Sequence, residues 1–184
     1  CCQIELRKLF KGGFSTGHGV LREPNDISSY AALACIAIQS NQNDQHGGQA
    51  IVNFDYAMAI GVRKTFKRID RQNLARALML LEDQPDPESQ IKAHIQQLEA
   101  ETGLYPKLED CEEYFQAEMP FLLEHYGQDE ATLRRCQEFA HYRAVKETDR
   151  ATYQAIEALI HNLNTMHSRA GAQTPFSSIN YGMD

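Results

Sequence analysis

The sequence predicts an α/β fold dominated by helices, and three observations lead there. The partly apolar hexapeptide CCQIEL at 1–6 and the run TPFSSINY near the other end both read as short strands. Between them, apolar residues recur at the three- and four-residue spacing of helices, over the longest stretch at 129–169. Glycine and proline clusters at 12–19, 84–89 and 103–106 separate these stretches.

Taken in order, residues 1–6 form a buried strand that leads into a helical turn from Arg7 to Lys11. GGFSTGHG at 12–19 holds four glycines in eight residues and reads as a loop. Pro24, Asn25 and Asp26 then mark a helix start, with Asn25 or Asp26 able to cap the free N–H groups. The helix spans roughly 27–46. Its first half, ISSYAALACIAI, is apolar or small on nearly every face and so belongs inside; its second half, QSNQNDQH, is amide-rich and stops at Gly47-Gly48. Asn53 or Asp55 can cap the next helix, in which Met58, Val62, Phe66 and Ile69 line one face. QPDPES at 84–89 breaks the pattern. A shorter helix over 90–101 and an acidic helix near 108–125 follow, the second ending by Gly127.

The 129–169 helix carries an expected buried stripe: Cys136, Phe139, Tyr142 and Val145, then Tyr153, Ile156, Leu159 or Ile160, Leu163 and Met166. Gly171 closes it. Pro175 stands near the start of the last strand, where a missing N–H is tolerated. Two strands cannot close a sheet. The helices therefore pack as a bundle, or the remaining strands lie outside this chain and the last strand has no partner within it.

Composition narrows the function. The 184 residues are 42% apolar and 23% charged, as in an ordinary soluble domain. A net charge of −7 argues against a general nucleic-acid binder, whose phosphate contacts need a basic surface. No apolar run approaches the ~18 residues of a membrane span, and the first residues do not resemble a signal peptide. Five cysteines without disulfide-framework spacing favour a reducing cytoplasm, and the lack of CxxC leaves a zinc site unsupported. The chain begins on cysteine rather than methionine, so it is expected to be an internal fragment.

Three segments, in order, carry a family resemblance: CCQIELRKLFKGGF, ISSYAALACIAIQSNQNDQHGGQAIVNFDYAMA and EALIHNLNTMHSRAGAQTPFSSINYG. Together they span the chain, which resembles an internal segment of the catalytic subunit of anaerobic, glycyl-radical ribonucleoside-triphosphate reductase. The resemblance implies a ten-stranded α/β barrel of the ribonucleotide reductase and glycyl-radical enzyme type. Residues 1–184 would be the N-terminal portion of that catalytic domain, with effector-site helices at about 26–81. It implies reduction of ribonucleoside triphosphates to deoxyribonucleoside triphosphates for DNA synthesis. The glycyl radical, made by an iron–sulfur, S-adenosylmethionine-dependent activating enzyme, and the finger-loop cysteine it oxidises would both lie outside this chain, leaving 1–184 inactive alone. Formate or a thiol system would be the reductant, dNTP or ATP the effectors, and a homodimer the assembly.

Individual residues follow. Neighbours on a strand point to opposite faces, so only one of Cys1 and Cys2 can face a barrel interior. The resemblance puts the reducing thiol on Cys1, with Cys2 as the alternative. Cys35, Cys111 and Cys136 fall inside helical patterns and read as packing residues. His18 in the glycine-rich loop faces solvent or touches a phosphate. His161 and His167 are six residues apart, a poor offset for joint metal ligation, and read as surface or packing residues; no metal is expected. The resemblance places Ile36 and Ser40 on the first effector helix and Arg68 at a basic position on the second, although Ile36 departs from the amide of some relatives. A guanidinium suits phosphate. Equally, Arg68 could belong to a solvated run with Arg63, Lys64, Lys67 and Arg71. Phe176, Ser178 and Asn180 alternate on the last strand and would line the substrate pocket if they face inward. Two other readings stand beside these: a glycyl-radical enzyme of the pyruvate formate-lyase type, and a non-catalytic helical dimerisation module.

Overall fold

The computed structural model describes residues 2–15, 20–44, 47–81, 87–165 and 176–182. Strand β1 (Cys2–Glu5) runs directly into the short helix α1 (Leu6–Phe10), whose Leu6 and Phe10 are buried. The glycine-rich segment is more than a loop. Its described ends, β2 (Phe14–Ser15) and β3 (Val20–Leu21), pair antiparallel in the register Phe14↔Leu21. Gly13 makes the close approach possible: it holds φ 87°, and a Cβ there would run into the Leu21 carbonyl oxygen.

Helix α2 (Ile27–Asp44) begins where Asp26 caps it, with Asp26 Oδ1 accepting from Ser29 N–H at 2.8 Å. Ile27, Tyr30, Ala31, Ala34, Cys35, Ala37 and Ile38 are all buried, as the all-round apolar pattern requires. The sequence reading missed the strand that follows. β4 (Gln49–Val52) takes the centre of a parallel three-stranded sheet in the order β1-β4-β5.

Helix α3 (Phe54–Leu81) starts after Asn53, which sits at φ 51°. Asn53 and Asp55 do not provide the expected cap: Asn53 Oδ1 and Asp55 Oδ1 have no hydrogen-bond partner among the described residues, and Asp55 Oδ2 instead accepts from Gly182 N–H at 3.1 Å. Helix α4 (Glu88–Thr102) ends on Gly103 in the left-handed region at φ 74°, with its N–H on the Glu99 carbonyl. Helices α5 (Glu112–His125) and α6 (Glu130–Thr165) follow. Met166, Gly171 and Pro175 lie outside the described residues.

The expected stripe on α6 holds in part: Cys136 and Leu159 are buried and Val145, Ile156 and Leu163 pack against the cores, but its large aromatic members do not. Leu133, Cys136, Ala140, Ala144, Thr148, Ala155 and Leu159 are buried, whereas Phe139, Tyr142 and Tyr153 are 51%, 57% and 71% exposed. The buried line keeps the helical repeat but is built mainly from small residues, which let neighbouring helices come close. The last strand, β5 (Ser177–Ile179), is not partnerless: Ser177, Ser178 and Ile179 pair with Gln49, Ala50 and Ile51 of β4. Among the described residues the strands form this sheet and the β2–β3 ladder, not a closed barrel.

The chain divides into two compact units, residues 1–64 with 150–184, and residues 65–149. The first holds the parallel sheet and a core that includes Ile4, Phe10, Tyr30, Ile38, Ile51 and Leu159. The second is helical, with Leu74, Leu78, Ile91, Phe115, Leu122 and Leu133 among its core residues.

Candidate functional site

The parallel sheet has two unlike faces because side chains alternate along each strand. Ile4 and Ile51 face the core and are 8% and 0% exposed, and Ile179 packs partly against them. The opposite row, Gln3, Ala50 and Ser178 in register, carries exposed Gln3 and Ser178 on either side of buried Ala50. Phe176 and Asn180 share that parity and are also exposed. Backbone bonds fix the end of β5: Asn180 N–H donates to the Ile51 carbonyl at 3.0 Å, and the Asn180 carbonyl accepts from Phe54 N–H at 3.1 Å. Tyr181 then rests edge-on against Phe54, with ring centroids 5.9 Å apart. Cys1, His18 and His167 lie outside the described residues. The backbone of Cys2 is in register with Gln49.

Ile36 and Ser40 stand one turn apart on α2, both half-buried. Arg68 on α3 is exposed. Its neighbours in the basic run are committed elsewhere. Lys64 pairs with Glu23 at 2.7 Å, Lys67 with Glu99 at 2.6 Å, and Arg71 with Glu88 at 3.1 Å. Arg68 makes no ion pair among the described residues.

The helical cysteines are packing groups. Cys35 is buried, with Sγ 3.7 Å from the Leu159 carbonyl, and burial pushes its thiol up to about 11. Burial pushes Cys111 up to about 11 as well and raises Cys136. Since the thiolate is the nucleophile, an alkylating reagent at about pH 8 should leave Cys35 and Cys111 unmodified in the native protein and label them after denaturation. Rapid native labelling, read by peptide mass spectrometry, would show that these thiols are accessible. His161 is exposed on the last turns of α6, and its carbonyl accepts from Thr165 Oγ at 2.9 Å.

One cluster had no sequence signal. In the 65–149 unit, Tyr114 O–H donates to Glu118 Oε1 at 2.6 Å and Gln137 Nε2 donates to Glu118 Oε2 at 2.8 Å, all of it buried. Asp70, 3% exposed, lies in the same interior, and Asp70 Oδ1 has no partner among the described residues. Among the described residues no three His, Cys, Asp or Glu side chains come together as a metal set, and no helix is long and apolar enough to cross a membrane.

The family model for anaerobic ribonucleoside-triphosphate reductase covers residues 1–184. No curated protein matches the chain.

Proposed function

The chain belongs to the anaerobic ribonucleoside-triphosphate reductase family, and from that premise we propose that it is a segment of a catalytic subunit that converts ribonucleoside triphosphates to deoxyribonucleoside triphosphates. The observation that carries the proposal is the extent of the family match, which leaves no part of the chain outside it. The match is to the reductase, which favours this reading over an enzyme of the pyruvate formate-lyase type.

The exposed face of the parallel sheet is the surface we assign to the substrate. Ser178 and Asn180 offer a hydroxyl and an amide there, suited to a ribose and its phosphates, and nothing in the first unit's core competes for them. Neighbours on a strand point to opposite faces, so only one of Cys1 and Cys2 can face the substrate. The family resemblance puts the reducing thiol on Cys1. The remaining strands of the barrel would pair along the outer edges of β1 and β5. A glycyl radical on another part of the subunit, formed by an iron–sulfur and S-adenosylmethionine-dependent partner, supplies the one-electron chemistry; formate or a thiol supplies the electrons. The setting is cytoplasmic and the assembly a homodimer.

For the effector, Ile36 and Ser40 on α2 and Arg68 on α3 are the assigned contacts. An exposed guanidinium that none of its neighbours neutralises is available to phosphate oxygens, which is what favours effector binding over a merely solvated run. The test uses the complete subunit, activated under anaerobic conditions and supplied with formate. Deoxynucleotide formation should follow, and its substrate preference should change with the dNTP added. A radical signal without deoxynucleotide would overturn the assignment. Arg68→Ala should weaken the effector response by about tenfold, consistent with loss of a charge-assisted phosphate contact worth ~1.5–3 kcal/mol, while turnover without effector stays near that of the parent. An unaltered effector response in this variant would return Arg68 to the solvated run.

A further inference from the structure

Among the described residues, the interior of the 65–149 unit holds two carboxyl groups and no cation paired with either. Asp70 comes from α3 and Glu118 from α5; they are 3% and 1% exposed. Both oxygens of Glu118 are occupied by donors, the Tyr114 hydroxyl and the Gln137 amide. Asp70 has no such support, since Asp70 Oδ1 has no partner among the described residues. Asn73 Nδ2, on the same helix and equally buried, also lacks one.

Among the described residues no cation pairs with Asp70 or Glu118, although Arg76 on α3 reaches Asn73 Oδ1 at 3.5 Å and His94 Nε2 on α4 is buried without a partner. On α3, Lys67 and Arg71 reach outward to Glu99 and Glu88 of α4. On α6, Arg134 binds Glu112 and Glu138, and His141 sits on the Lys107 and Glu109 carbonyls. In the segment before α5, the Lys107 ammonium lies over the Tyr105 ring at 5.2 Å. On α4, His94 stacks flat on Phe121 of α5, whose His125 bonds the Phe121 carbonyl. Asp110 and Cys111 add only further negative or neutral groups. Two ionised carboxylates in one dry interior would repel, with nothing opposite to hold them.

We propose that Asp70 and Glu118 hold a proton inside the 65–149 unit, and that its release to solvent opens this unit: a proton-operated latch. Glu118, with two donors, is the better placed to carry the charge; Asp70 keeps the proton. The direction of the titrations agrees. Burial, then the nearby Glu118, pushes Asp70 well above the usual carboxylate range, and burial raises Glu118 against the opposing pull of its two donors. A carboxyl whose pKa is raised by folding favours the folded form most below the unfolded value, here near 3.8. That contribution declines as pH rises toward the folded value. The unit is therefore held most firmly in acid and loosens as pH rises toward the folded value. Nothing in this depends on the reductase chemistry.

Hydrogen exchange of the full chain, resolved by peptide and corrected for intrinsic rates, tests the latch. Protection of peptides within 65–149 should fall about tenfold per pH unit for each proton released on opening, while peptides from 20–44 show no such slope. Asp70→Asn should remove one proton's worth of the slope and raise protection at the alkaline end. An unchanged slope overturns the proposal. Glu118→Gln provides a second reading if the first variant does not fold. The Gln137 amide can turn over to accept from the new amide, and with the like charge gone the slope should again become shallower. Infrared spectroscopy reports directly: at a pH where exposed carboxyls have ionised, the wild type should show a protonated carboxyl C=O band that Asp70→Asn lacks. Absence of that band from the wild type also overturns the proposal.

Discussion

Cys1→Ser in the complete subunit should abolish deoxynucleotide production, by at least about a thousandfold, or about 4 kcal/mol of barrier. The glycyl radical, read by electron spin resonance, should form normally. A serine hydroxyl has nearly the shape of the thiol but cannot be oxidised and reduced in its place. The same change at Cys2 should leave turnover close to normal, because neighbours on a strand point to opposite faces and only one of the two thiols can face the substrate. The pair of variants separates two explanations that neither can separate alone. Loss in both would point to damage to the strand, and loss in the Cys2 variant only would move the reducing role there.

The second large effect is structural. Gly61 is the point where α3 crosses α2. A Cβ added there would lie 2.9 Å from Tyr30 Cδ2, 3.0 Å from Tyr30 Cγ and 3.2 Å from the Ile27 Cα. Tyr30 cannot retreat freely. It is 3% exposed and held edge-on to Phe10, with ring centroids 5.6 Å apart. Alanine at 61 would regain about 1 kcal/mol of helix propensity but meets an overpacking penalty of about 1–3 kcal/mol. The net effect is a modest loss. Valine has no such offset and adds two methyl groups to the same gap; Gly61→Val should cost about 3 kcal/mol. For a chain of this size that lowers Tm by roughly 6–12 °C. A Gly61→Val protein that melts with the parent would mean that the two helices are not this close. Recovery on adding Tyr30→Leu would identify the ring as the obstacle.

The pattern of these residues shows what the sequence could reveal. Helix α2 was legible because ISSYAALACIAI is apolar all round, a composition that only a buried helix uses. Its cap was legible from Asp26. Strand β4 was not, since QAIV is four residues between a Gly-Gly stop and a new helix, too short for any period to emerge. Missing it left β5 without the partner it has. On α6 the repeat was visible, and so were Cys136, Ile156, Leu159 and Leu163 on its packed side, but the place of its aromatic residues was not. Phe139, Tyr142 and Tyr153 look like core residues by type, yet the buried line runs through Ala140, Ala144 and Ala155. Hydropathy favours the large side chain, whereas close helix packing selects the small one. At the candidate site, alternation alone placed Ser178 and Asn180 on one face. The buried acids escaped notice because Asp70 and Glu118 stand in charged stretches that read as solvent-facing, and only tertiary packing of α3, α5 and α6 takes them out of water.

The β4–β5 pairing also sets an order of events during synthesis. The bond from Gly182 N–H to Asp55 spans 127 residues, whereas the 65–149 unit is one continuous stretch of chain. All of that stretch is synthesised before β5 is made. Its contacts are local and close quickly; a parallel pairing between distant segments closes slowly. The helical insert can therefore mature while β1 and β4 wait with an unpaired edge, the kind of surface that recruits strands from other chains. Truncations that stop short of Ser177 would lengthen that exposure indefinitely, and insoluble product is the result to expect from them.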